Sequence, residues 1–171
     1  MQGPGVIGGK HTAFTLVELV IVVLVLGILA AAGAPRFAAS LRYHRVESAA
    51  RRVAADLRMA QRLARTASSD KTVSFDVGGD GYSIFPDVDD FDRPGQPYAV
   101  DLAAAPFAAS VLSANFGGDS TVIFNGYGAP DSGGQVVVAS GGERRTITVD
   151  GASGAVAIAE PMSVGPGAEQ P

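Results

Sequence analysis

The chain has 171 residues, 47% of them apolar and 18% charged, so it is too rich in core-forming side chains to be a disordered tail and long enough for one domain beside a membrane segment. It has no cysteine, which excludes a disulfide scaffold and any thiolate nucleophile or metal ligand. The net charge of -4 hides a polarity along the chain: residues 36–65 hold eight arginines against Glu47 and Asp56, and residues 70–171 hold fourteen acids against Lys71, Arg93, Arg144 and Arg145. Neutralising phosphates needs clustered cations, so no nucleic-acid partner is expected for the acidic part.

Residues 1–13, MQGPGVIGGKHTA, are short and Gly-rich, with Lys10 and His11 close to an apolar boundary, and read as a leader. The run FTLVELVIVVLVLGILAAAGA follows at 14–34. As a helix rising about 1.5 Å per residue it reaches about 30 Å, enough to cross a hydrocarbon core, so residues 14–35 read as a transmembrane segment in contact with lipid. One charge interrupts it. A carboxylate deep in a bilayer costs roughly 2.5 to 3.5 kcal/mol, so Glu18 must find a partner. A secretory signal peptide is the competing reading, with Ala30-Ala31-Ala32 or Ala32-Gly33-Ala34 as its cleavage site. Against it stand the length of the run, Glu18 inside it, and Pro35 directly after the second site. Arg36, Arg42 and Arg45 follow the span while only Lys10 precedes it, so the positive-inside tendency taken alone would leave the C-terminal part in the cytoplasm.

The stretch Ala13-Phe14-Thr15-Leu16-Val17-Glu18-Leu19, with a short basic leader before it and an apolar helix after it, resembles the processing site of type IV prepilins and type II secretion pseudopilins. The resemblance implies a prepilin peptidase that cuts between Ala13 and Phe14 and methylates the new amino group of Phe14, leaving Glu18 as the assembly residue. It also implies export of the C-terminal part to the periplasm, against the charge count. Gly27 and Pro35 fall where these helices carry a Gly and a helix-bending Pro. Ala13 departs from the family's usual Gly; Ala is the next smallest side chain, so cleavage is expected to persist at a lower rate.

Residues 36–68 read as an amphipathic stem continuing the helix. Val46, Ala50, Val53, Leu57, Ala60, Ala64 and Ala67 recur at spacings of four and three and share one face, while Arg51, Arg52, Arg58, Arg62 and Arg65 take the rest. Ser68-Ser69-Asp70 is the stop signal. The arginines read either as a solvated face or as contacts to acidic neighbours or lipid headgroups.

Beyond residue 70 the period changes to two. Residues 72–77 and 82–85 flank Gly78-Gly79-Asp80-Gly81, a hairpin signal. A long irregular stretch is expected from Pro86 to about Ser120, broken by Pro86, Pro94, Pro97 and Pro106. Strands follow at 121–124, 135–139, 144–150 and 155–159, with Gly-rich turns between them. The expected fold class is α+β: a long N-terminal helix packed on a small antiparallel sheet or sandwich, the head occupying 69–160 and a disordered tail 161–171. The pattern Ile123-Phe124-Asn125-Gly126-Tyr127-Gly128, Val136-Val137-Val138, Arg145 to Val149 and Gly154-Ala155-Val156 is similar to the closing strands of H-type minor pseudopilins and FimT-type minor pilins.

Little else carries chemistry. His11 lies in the leader and His44 on the stem, and no nucleophile elbow, zinc-protease or phosphate-loop motif occurs. Asp87, Asp89, Asp90 and Asp92 offer hard oxygens but lack the glycine and the distal glutamate of a calcium loop, so a solvated acidic loop is the expectation, with no metal and no cofactor. No catalytic residue is assigned. The resemblance implies a structural subunit of the inner membrane with a periplasmic head, a minor pseudopilin that assembles with other pseudopilins in type II protein secretion. The alternative it leaves open is a minor pilin of a type IV pilus.

Overall fold

The computed structural model describes residues 15–90 and 93–159, with backbone only for 31–39. The chain divides into two compact units at Ala39 and Ser40. One helix, α1 (Leu16–Ala67), is assigned through both. It begins on a cap: the Thr15 hydroxyl accepts from the Glu18 amide at 3.2 Å, satisfying one of the orphan donors of the first turn. It ends where Ser68 turns to φ 49° and the Ser69 amide donates back to the Ala64 carbonyl at 3.2 Å. The bend expected at Pro35 lies outside the described side chains, and the leader and the tail lie outside the described residues altogether.

In the second unit the helix and two four-stranded antiparallel sheets enclose one core. β1 (Lys71–Asp76), β2 (Gly81–Asp89), β3 (Pro97–Asp101) and β5 (Thr121–Phe124) form sheet A in the order β3-β2-β1-β5. β4 (Ser110–Phe116), β6 (Gly134–Ser140), β7 (Glu143–Val149) and β8 (Val156–Ile158) form sheet B in the order β4-β6-β7-β8. The head is thus the sandwich form of the expectation. The stretch from Pro86 to Ser120 is not irregular: β2 runs through Pro86 to Asp89, and β3 and β4 lie inside it. Pro97 sits at the first position of an edge strand, where a missing N–H is tolerated. A bulge between Ile84 and Asp89 lets β2 continue beside it.

The core joins all three layers. Val46, Ala49, Ala50, Val53, Ala54, Leu57, Ala60 and Ala64 of α1 are fully buried, whereas Ala67, expected on the same face, is exposed. The alanines hold the helix close to the sheets, because a longer side chain would force the backbones apart. Phe75 of sheet A stacks on Phe116 of sheet B at 5.8 Å and tilts on Tyr82 at 5.4 Å, so aromatic contacts link the two sheets directly.

Candidate functional site

The N-terminal part of α1 has the pattern Thr15-x-x-Glu18, a capping signature, with Glu18 in the first turn where the helix dipole favours an anion. Ala13 and Phe14, the expected cleavage and methylation positions, lie outside the described residues. Glu18 is exposed, and its carboxylate has no hydrogen-bond or ion-pair partner among the described residues. Around it the helix is apolar on every side and no side is covered: Leu16, Val17, Leu19, Val20, Ile21 and onward to Leu29 are all exposed. A helix apolar all round needs an apolar surrounding. Among the described residues no helix is long and apolar enough to cross a membrane; the described side chains of this run end at Ala30.

The stem carries a second arrangement, set by helical geometry. At about 100° per residue, Val53, Leu57, Ala60 and Ala64 point to the core, and the two flanks beside that direction fall to different residues. One flank presents Arg52 and Asp56 to sheet A. Asp56 Oδ2 accepts from the Tyr82 hydroxyl at 2.6 Å, the Tyr98 hydroxyl at 2.7 Å and Arg52 Nε at 2.9 Å, while Arg52 Nη2 donates to the Tyr98 hydroxyl at 2.7 Å. The site is buried on the head side, with Asp56 6%, Tyr82 4% and Tyr98 3% exposed. Burial first, and then the negative charge and hydrogen bond of Asp56, push the Tyr82 phenol well above its ordinary value. The same causes raise Tyr98 to about 12. Burial pulls the Arg52 guanidinium down, but the charge and hydrogen bond of Asp56 outweigh it and hold it above its ordinary value.

The opposite flank presents Glu47, Arg58, Gln61 and Arg65 to sheet B and its loops. Glu47 Oε2 accepts from Arg145 Nε at 3.0 Å, and its other oxygen accepts from Arg51 Nε at 2.8 Å. The Arg51 hydrogen bond, opposed by partial burial and reinforced by Arg145, holds the Glu47 carboxyl below its ordinary value. Arg145 is buried, lies over the Tyr43 ring at 4.8 Å, donates Nη1 to the Arg144 carbonyl at 2.8 Å, and leaves Nη2 without a partner among the described residues. Farther along, Arg58 Nη2 donates to the Val156 carbonyl at 2.7 Å, Gln61 Nε2 to the Gly128 carbonyl at 2.8 Å, and Arg65 Nε to the Tyr127 carbonyl at 3.1 Å. Several arginines of the stem therefore clasp the head, which neither reading of the Arg-rich face foresaw. The signal that could have found the Asp56 site is one helix acid on the flank of a buried face, opposite inward-facing tyrosines of an alternating strand.

The acidic loop does not gather its carboxylates. Asp87 and Asp89 are exposed, Asp90 pairs with Arg93 at 2.7 Å, and Asp92 lies outside the described residues. Among the described residues no three metal-ligating acids or histidines converge. His44 is exposed on the stem, its ring edge-on to Tyr43.

A family model described as type II transport protein GspH matches residues 49–154, from the middle of the stem to the last turn of the head. A second, the prokaryotic N-terminal methylation motif, matches residues 9–34. Among solved structures the chain is similar to the type IV minor pilin FimU of Pseudomonas aeruginosa strain PAO1, at 16% identity over 69% of this chain and 90% of that one, with a TM-score of 0.52. It is also similar to the minor pseudopilin EpsH of the Vibrio cholerae Type 2 Secretion System, at 10% identity over 67% of this chain and 96% of that one, with a TM-score of 0.51. At these identities the likeness is one of fold: a helix packed on a β head. Among curated proteins none matches.

Proposed function

The chain belongs to the type II transport protein GspH family, and from that premise we propose that it works as a minor pseudopilin, a structural subunit that enters a membrane-rooted assembly by its N-terminal helix and carries its head in the periplasm. The observation that carries this reading is the coexistence, on one chain, of the GspH match over 49–154 and the methylation motif over 9–34. The uncovered apolar helix and the exposed Glu18 in its first turn support it. No reaction is assigned to the chain; it is the substrate of a peptidase that cuts between Ala13 and Phe14 and methylates Phe14. A role as a minor pilin is the second reading, favoured by the fold shared with FimU. Both readings make the same use of the helix, and in both the partners are other pilin-like subunits.

After cleavage Phe14 carries the new amino group, one residue before the capping Thr15. The helix would then begin almost at the terminus, with Glu18 one turn inside. A subunit alone in lipid leaves amine and carboxylate both poorly solvated. In an assembly, Glu18 of one subunit neutralises the amino terminus of its neighbour, and removing one partner of such a buried pair costs about 3 to 5 kcal/mol.

Two measurements on protein from native membranes test this. Intact-mass analysis should give a chain starting at Phe14 with a methylated amino group; a start at Gly33 or Pro35, or an uncut Met1, refutes the processing. Glu18→Ala should insert and be cut, yet fail to co-purify with pilin-like subunits. A cut, incorporated and functional Glu18→Ala protein refutes the pairing.

A further inference from the structure

Three turns meet at the end of the head beside residues 41–45 of the stem. Gly141, between β6 and β7, lies against the Arg42 side chain, where a Cβ would run into Arg42 Cδ. The Ser140 hydroxyl donates to the Ala108 carbonyl at 2.9 Å, joining that turn to the loop between β3 and β4. The Leu102 amide donates to the Asp80 carbonyl at 2.9 Å and the Val111 amide to Asp80 Oδ1 at 3.1 Å, joining the loop in turn to the β1–β2 hairpin.

Residues 102–109, LAAAPFAA, carry no polar side chain, yet Ala103, Ala104, Ala105, Pro106 and Ala108 are exposed and Phe107 is half-buried. The backbone of this loop asks little of water. Asp101 Oδ1 accepts from the amides of Ala103 and Ala104, the amides of Phe107 and Ala108 donate to the Ala104 carbonyl, and the Ala109 amide donates to the Leu102 carbonyl. Pro106 has no amide hydrogen to satisfy. An apolar loop with its donors satisfied leaves water at small cost. Val77 on the β1–β2 turn, and Leu41 and Tyr43 on the stem, add exposed apolar or aromatic surface at the same end. Arg42, Arg45 and Arg144 stand beside it, exposed or half-buried, and none forms an ion pair among the described residues. Of the acids there, Asp80 and Asp101 are turned onto backbone amides, which leaves Asp76 and Glu143.

We propose that this end of the head rests on an anionic lipid surface, the loop of residues 102–109 dipping into the headgroup layer while Arg42, Arg45 and Arg144 meet lipid phosphates. Two arguments choose lipid over a protein partner. The loop is alanine-rich and itself carries none of the Trp, Tyr or Arg anchors of a protein hot spot, whereas a flat apolar tip flanked by arginines and a tyrosine suits a membrane interface. Chain length supplies the second argument: Arg42 follows Ala34, the end of the apolar run, by eight residues, so however that segment runs Arg42 stays within about 29 Å of the hydrocarbon. Tethered this closely, a contact that would be weak between free partners is enough. The inference rests on the reading of residues 14–34 as a lipid-embedded helix, and it concerns the subunit before it joins an assembly.

The chain contains no tryptophan and no cysteine, so each introduced reporter is the sole one of its kind. The full-length chain carrying Phe107→Trp, Tyr127→Trp or Leu29→Trp is purified from native membranes and placed in nanodiscs of phosphatidylcholine and phosphatidylglycerol, with and without bromine on the acyl chains. Both head positions keep an aromatic ring, and Tyr127 is held by Arg65, about 35 Å farther along α1 than Arg42. Bromine should quench Phe107→Trp by about half and Tyr127→Trp by less than about a tenth, and Arg42→Glu with Arg144→Glu should reduce the Phe107→Trp quenching at least about threefold. Ala104→Cys, a small exchange at an exposed position that leaves the loop's own ring in place, should react with a water-soluble maleimide about tenfold more slowly in these discs than in discs of phosphatidylcholine alone. Equal quenching at 107 and 127, or quenching and thiol reactivity that ignore the two arginines and the lipid charge, overturns the proposal. So does a loop shielded only in native membranes, which would assign it to a pilin-like neighbour. If Leu29→Trp is quenched while Phe107→Trp is not, the lipid-embedded helix stands and only the docking falls; if Leu29→Trp also escapes quenching, the reading of the helix fails as well.

Discussion

Replacing Asp56 by alanine is the most informative single perturbation of the head, because one oxygen of that side chain serves three donors from three different elements. Tyr82 of β2 and Tyr98 of β3 both end on Oδ2, and both rings are buried. Asp56→Ala removes the acceptor of both phenol hydroxyls, while Arg52 Nη2 still donates to Tyr98. A buried donor left unpaired costs about 1 to 3 kcal/mol, and hydrogen bonds to a charged acceptor lie at the upper end of that range. The Arg52 ion pair adds little, since its side chain is 44% exposed and screened. Relaxation lets one hydroxyl donate to the other, so the expected loss is about 3 to 5 kcal/mol, a large part of a typical folding stability. For a chain of this size that lowers the melting temperature by roughly 6 to 20 °C. Circular dichroism of the full chain in detergent reads it. Asp56→Asn, which keeps an acceptor, should lose less than half as much. Tyr82→Phe added to Asp56→Ala should cost little or restore stability, because it removes a stranded donor. An Asp56→Ala protein within about 1 kcal/mol of the parent refutes the argument that this site holds sheet A on the stem.

The other predictions concern charge. Tyr98 is raised to about 12 and Tyr82 is raised as well, so alkaline titration followed at 295 nm should show a late-ionising fraction that vanishes on denaturation. A raised phenol stabilises the fold fully below its unfolded value near 10 and loses that contribution as pH rises through the folded value, so the protein should weaken at alkaline pH, less so with both tyrosines changed to Phe. Glu47 is depressed, so its contribution is present above its ordinary value of 4.5 and is lost as pH falls through the folded value; Glu47→Gln should flatten the acid limb of a stability profile. Glu47→Ala should cost about 3 to 5 kcal/mol, since among the described residues Arg145 would keep a buried charge with only the Arg144 carbonyl and the Tyr43 ring beside it.

Local signals made part of this structure legible and left the rest hidden. The buried stripe of the stem is readable because its residues recur at helical spacing, whereas the Thr15 cap on the Glu18 amide is seen only in the structure. The β1–β2 hairpin is readable from its glycines; Gly78 takes φ +106° and the turn joins paired strands. β3 and β4 were not readable. Prolines interrupt that region, and the strands exist because Tyr98 pairs with Ile84 and Val111 with Val138, pairings settled by partners far along the chain. The Asp56 site is hidden for the same reason: its two tyrosines are 26 and 42 residues away, and no spacing rule links a helix acid to strands whose order is unknown.

The placement of polar contacts on the flanks of the stem has a mechanical consequence for the proposed function. An apolar face of alanines gives close packing but little directional preference, since small side chains slide past one another without a large barrier. A head held by that face alone could shift along the helix. Asp56 and Arg52 fix sheet A from one flank, and Glu47, Arg58, Gln61 and Arg65 fix sheet B and its loops from the other, at successive levels along the helix. Each of these bonds has a defined length and direction, so sliding by one turn would break all of them together. Within the second unit the stem and the head would then move as one body.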